Sequence, residues 1–207
     1  MTQATDKVHV IDQSFGILDR GEIPIETWTW LNGLARVMSI GAVVHTGIST
    51  GYVRVTAIAD TAPPVEVDPG PWDEIVEISV FSAYGELRVE SYTYGPVTTL
   101  PLLSSQGPGS YRFRVHARGR DLHYDAVQND SGEDYLVVGW PAEIAPEVII
   151  RASDRCKEGV RRSAEPTSAH GTHVPGIPPE LRDEMEYRAL THQALLDAIA
   201  KHPPETS

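Results

Sequence analysis

Apolar and polar residues take turns along most of positions 1–154. The clearest run is SYRFRVHARGR, residues 110–120, where Tyr111, Phe113, Val115 and Ala117 alternate with Arg112, Arg114, His116 and Arg118. Period two over this length marks a half-buried antiparallel strand, one face in a core and the other toward water. VRVTAI (53–58) alternates in the same way. In EIVEISVFSA (74–83), Val76, Ile78 and Val80 share one face, and Glu77 and Ser79 the other. ELRVESY follows the short turn Ala83-Tyr84-Gly85, so residues 75–92 read as a hairpin. YLVVGW and EVIIRA supply two strands divided by Pro141 and Pro146, and VHVIDQSFGIL and RVMSIGAVVHTG two more near the start. Turn signals such as Ala62-Pro63-Pro64, Asp68-Pro69-Gly70-Pro71 and Gly107-Pro108-Gly109 punctuate the runs. The pattern predicts an all-β domain over 1–154, an antiparallel β-sandwich of about eight strands. IETWTWLNGLAR is ambiguous and admits a short helix. Trp28, Trp30, Trp72 and Trp140 read as core or rim anchors.

Past residue 154 the alternation stops. Residues 155–178 have no period and are rich in Ser, Thr, Gly and Pro, the composition of a flexible linker. From 179 to 201 the period becomes helical. Leu181, Met185, Ala189, Leu195, Leu196 and Ile199 share one face with His192, after Pro178 and Pro179 and an acidic first turn. This predicts one C-terminal amphipathic helix whose apolar stripe needs either its own domain or another chain.

Composition narrows the function classes. The 207 residues carry a formal charge of −12, so free nucleic acid is not an expected partner, because phosphate binding needs basic surface. The single cysteine, Cys156, excludes an internal disulfide and fits a cytoplasmic location. No stretch has the length and apolarity of a membrane span, and the N-terminus lacks the pattern of a signal peptide. No Walker, dinucleotide or zinc-ribbon motif is present, and no cofactor is expected.

Several constellations bear on chemistry. HGTHVPG (170–176) resembles the histidine motif of subtilisin-like serine proteases, and VHVIDQSFG (8–16) resembles the strand carrying that family's aspartate. The triad cannot be completed. Pro175, Pro178 and Pro179 forbid the helix that should follow His170, and the only serine after it is Ser207. No catalytic residue is assigned. Arg112, Arg114, His116 and Arg118, continued by Arg120, form a basic row suited to a carboxylate, a phosphate or an acidic partner. The competing explanation is cross-strand pairing with the protein's own acids, with Glu77 and the Glu86–Glu90 segment as candidates. Asp121, His123 and Asp125 have D-x-H-x-D spacing, which reads better as a polar loop than as a metal site. Two acidic loops are candidate binding surfaces: Glu66, Asp68, Asp73 and Glu74 in one, and Gln128 to Asp134 in the other.

Three blocks carry a resemblance to known proteins: WDEIVEISVFSAYGELRV (72–89), GPGSYRFRVHARGRD (107–121) and EDYLVVGWPAEIAPEVIIRASD (133–154). Their order is similar to that in a family of small actinobacterial β-proteins. More distantly, the early aspartate-bearing strand VHVIDQSFGILD and the late Tyr-strand-Trp-Pro block resemble competence protein J, an inhibitor of a DNA-entry nuclease. Gly139 departs from the bulky residue that family has before its Trp-Pro. The resemblance implies a non-enzymatic protein that binds another protein, an inhibitor or immunity-type partner of a nuclease or toxin. The alternative is a small-ligand-binding or enzymatic sandwich or barrel, with Arg114, His116, His123 and Asp125 converging on one site.

Overall fold

The alternating segments form twelve strands in the computed structural model, which describes residues 1–23, 32–67 and 70–154. They are β1 (Thr2–Val10), β2 (Ser14–Asp19), β3 (Ala35–Val37), β4 (Ala42–His45), β5 (Thr50–Ala59) and β6 (Glu74–Ser82), then β7 (Leu87–Ser91), β8 (Gly95–Pro96), β9 (Gly109–Arg118), β10 (Val127–Gln128), β11 (Asp134–Pro141) and β12 (Val148–Arg151). One sheet has the order β1-β5-β11-β9-β6-β12, with β10 pairing β5; the other has the order β3-β4-β2-β7-β8. The fold is all-β, two sheets rather than a barrel. Both β10 and β11 run parallel to β5, while the other pairings are antiparallel. The described residues lie in the unit Met1–Glu165. None of their helical content is long and apolar enough to cross a membrane.

The core lies between the sheets and follows the sequence parity. Val53, Val55, Val76, Ile78, Val80, Phe113, Val115 and Val137 come from one sheet and Phe15, Ile17, Val44, Leu87 and Val89 from the other, all fully buried. Each such side chain contributes roughly 1.5–3 kcal/mol on burial. Gly139 has the parity of Val137 and lies against Phe113, where a Cβ would come within 2.5 Å of the ring. The aromatic ring occupies the space a bulkier residue would need.

Two expectations about connectivity are corrected. Residues 75–92 do not form a hairpin: β6 and β7 belong to different sheets. The turn between them is bound to Asp19 of β2, whose carboxylate accepts hydrogen bonds from the Tyr84 and Glu86 amides (both 2.8 Å) and from Ser82 Oγ (3.0 Å). Those bonds carry the chain across the core to the opposite layer. Likewise VHVIDQSFGIL is two strands, β1 and β2, broken at Ile11–Gln13 and divided between the sheets. RVMSIGAVVHTG is β3 and β4, paired through the turn at Gly41. Trp28, Trp30, Asp68, Cys156, the HGTHVPG segment, the linker and the C-terminal helix lie outside the described residues.

Candidate functional site

The basic row is built by β9, and Arg112, Arg114 and His116 sit inside the protein while Arg118 is half-buried. Register places Glu77 of β6 opposite Arg114, and Ser79 opposite Arg112. The Glu77 carboxylate accepts from Arg114 Nε at 2.8 Å and from Arg112 Nε at 3.2 Å. Arg112 Nη1 also donates to Ser79 Oγ and to the Ala145 carbonyl, and Arg114 Nη1 to the Glu66 carbonyl, all at 3.0 Å. Arg118 and Arg54 share Asp134, which lies between them in register. Burial alone would push the Asp134 carboxyl up, but the two arginines outweigh it and hold it below its usual value. Trp72 tilts over His116 at 5.4 Å, and Trp140 stacks under the Arg114 guanidinium.

The expected water-facing row is therefore a covered layer: Arg112 and Arg114 are 6% and 8% exposed, and His116 1%. The cover comes from residues before β6 and after β11, which strand alternation could not reveal. Glu77 is the partner named from sequence. Glu86 and Glu90 are not partners of the row; Asp134 takes their place.

The two acidic loops are also redistributed. Glu74 is buried beside Arg120 and Ser153, not on a surface. It shares the inward parity of Val76 and Ile78, which the reading of Glu74 as a loop acid passed over. Asp73 Oδ2 accepts from the Gly119 amide at 2.9 Å, and Glu66 is exposed. In Gln128–Asp134, Asp130 is exposed, whereas Glu133 and Asp134 are buried.

Arg114 and His116 line a cavity of about 350 Å³ with Ile58, Glu66, Leu136 and Val138. His123 and Asp125 are not in that lining. They lie in an exposed loop at one end of the sandwich, so the four-residue convergence does not form there. Among the described residues, no group of three His, Cys, Asp or Glu side chains is placed to hold a metal.

Backbone constraint in the described chain gathers at that loop end. Three of its four non-glycine residues with positive φ meet there: Asp12 (51°), Gln13 (55°) and Asp125 (57°). Left-handed backbone disfavours L-residues and persists where surrounding contacts enforce it. Here Gln13 donates its amide to the Ser49 carbonyl at 3.1 Å and its side chain to Asp125 at 3.3 Å. Thr46 N donates to Gln13 O (2.7 Å), Asp125 N to Gly47 O (2.8 Å) and Ser49 N to Ala126 O (2.9 Å). Beneath them, the buried Glu133 carboxylate accepts from the Gly47 and Ile48 amides at 2.9 and 2.7 Å, and from the Tyr135 hydroxyl. Burial and then the Glu133 charge push the Tyr135 phenol far up, so it stays a donor. Burial first, then Arg120 and Arg36, bring His45 down to about 3 against the pull of its Gln13 backbone bond.

On this rigid base stand exposed apolar groups: Ile11 (37%), Leu122 (62%), Tyr124 (55%) and Val127 (72%). Asp12, Asp121, Asp125 and Asp130 are exposed on the same segments. Sequence reasoning read RDLHYD for its metal-ligand spacing and passed over Leu122 and Tyr124. It also missed the break at Asp12-Gln13, which carries no Gly or Pro.

No family model matches the chain, and no curated protein matches it. A solved structure described as "Crocagin biosynthetic gene J" is similar to it with a TM-score of 0.43 and 16% identity, over 69% of this chain and 100% of that one.

Proposed function

We propose that this protein is a non-enzymatic, cytoplasmic binding module that engages another protein through the loop end, as an inhibitor or immunity-type partner of a basic nuclease or toxin. The observation that carries the reading is the concentration of three strained residues beneath an exposed apolar group of side chains flanked by aspartates. A preformed loop surface loses little freedom on binding, which favours affinity. Exposed apolar groups ringed by charge are the anatomy of a recognition patch. The four aspartates disfavour a second copy of this chain as occupant and favour a partner with lysines or arginines around an apolar centre. The resemblance to competence protein J points to the same class of partner.

The test is binding by the full chain to a partner captured from its host cell, followed by mapping through amide-exchange protection. Protection of residues 11–13, 46–50 and 121–130 is expected, with association slowing steeply as salt rises. Leu122→Ala with Tyr124→Ala should weaken binding by about 100-fold or more, as loss of central anchors does. Protection on another face, or unchanged affinity of the double variant, would sink the reading. A second reading, a small-ligand carrier, is favoured by the cavity beside Arg114 and His116. It predicts ligand protection at β9 and β11 and none at the loop end.

A further inference from the structure

Five acidic residues are buried among the described residues: Asp19, Glu74, Glu90, Glu133 and Asp134. Four have two or three donors each. Asp19 accepts from Ser82, Tyr84 and Glu86; Glu74 from Arg120 and Ser153; Glu133 from Gly47, Ile48 and Tyr135; Asp134 from Arg54 and Arg118. Glu90 is different. Among the described residues it has one hydrogen bond, from the Gly21 amide, and the nearby charge of Arg88. Burial accordingly pushes its carboxyl above the usual range. A buried carboxylate with so little compensation is costly, and the cost falls when a cation joins it.

Its position gives a cation a way in. On β7, Leu87 and Val89 point to the core, and Arg88 and Glu90 to the outer face. Glu90 stands opposite Gly16, which presents no side chain. The result is a cleft of about 630 Å³, with Leu18, Ile23, Tyr92 and Pro96 as apolar walls and Glu90 within. Arg20 and Glu86, paired at 3.1 Å, also line it. The charged groups in the lining balance: Glu86 is paired with Arg20, and Glu90 has Arg88 nearby but makes no ion pair among the described residues.

The geometry points to this cleft as a binding site for an organic cation on an apolar stem, an alkylguanidinium or alkylammonium, with Glu90 as its acceptor. The walls hold the methylene stem, and the carboxylate takes the charged head. Such a group belongs to a free amine or to an arginine or lysine side chain. The site is separate from the loop end and stands whether or not that end binds a partner.

The test titrates the full chain with butylguanidinium and with acetyl-arginine methylamide, followed by side-chain NMR shifts and calorimetry. Saturable millimolar binding that moves Glu90 and Tyr92 resonances is expected. Glu90→Gln should weaken it by about tenfold or more, the size of a lost charge-assisted hydrogen bond. Ile23→Trp, which fills the cleft from its rim without touching the buried group, should block it as well and covers the case in which Glu90→Gln does not fold. Binding of butylguanidinium alone assigns the site to a free amine; binding of both assigns it to a basic side chain too. No saturable binding to the wild-type chain, or equal binding to both variants, would overturn the proposal.

Discussion

Arg114 shows how the role of one residue depends on what covers it. On an open strand face its pair with Glu77 would be worth little, since exposed ion pairs contribute about 0–1 kcal/mol. Here the side chains of Arg112, Glu77 and Arg114 are only 7%, 16% and 10% exposed. Removing one arginine leaves Glu77 buried with half its donors and frees the Glu66 carbonyl of its guanidinium. Arg114→Ala should therefore lower stability in urea melts by about 3–5 kcal/mol, the cost of breaking a buried pair. Arg54 is the internal control. Its side chain is 57% exposed and Asp134 keeps Arg118 without it, so Arg54→Ala should cost at most about 1 kcal/mol. Equal effects of the two substitutions would mean that the β9 layer is open to water.

Among the elements, the strands were legible and their partners were not. Alternation placed Tyr111, Phe113, Val115 and Ala117 in the core correctly, because side-chain parity is a local property of extended backbone. Which sheet a strand joins depends on the turn before it, and here on contacts distant in sequence. Asp19 redirects the chain between β6 and β7, and Gln13 and Asp12 do so between β1 and β2. Loop positions were read by residue type alone, so Glu133 looked like a surface acid although its carboxylate organises the turn at residues 46–50. The loop end also relies on close backbone approach. A Cβ on Gly47 would sit 1.9 Å from the Arg120 carbonyl oxygen, and backbone cannot swing aside as a side chain can. Gly47→Ala should destabilise by about 1–3 kcal/mol or more, as overpacking does. It should also raise amide exchange over 46–50 and 121–128 ahead of the rest of the protein. A neutral Gly47→Ala would show that the segments are not locked against each other.

For the molecule as a whole, the charge of −12 sets the sign of its long-range field, while the response to acid depends on a few buried groups. His45 is brought from 6.5 to about 3, mainly by burial and then by Arg120 and Arg36. Between those values the unfolded chain takes up a proton that the folded protein refuses, so stability declines as pH falls through that window. At pH 4 the loss from His45 is on the order of 3 kcal/mol, at about 1.4 kcal/mol per unit. Asp134, held low, adds to the loss only at lower pH, as its carboxyl in the unfolded chain begins to protonate. Glu90, pushed up, acts the other way: its protonated form favours the fold in acid, and that contribution fades as pH rises through its folded value. Above the folded value of Glu90, the slope down from neutral pH belongs chiefly to His45. Urea melts at successive pH values should show the wild-type midpoint falling below pH 6.5 and the His45→Gln line running flatter. Parallel lines would remove His45 as the cause. Because the His45 ring is bonded to the Gln13 backbone, the proton that destabilises the fold enters beneath the strained Asp12-Gln13 turn. Exchange at residues 11–13 and 46–50 should accordingly rise in acid before exchange in β6 and β9.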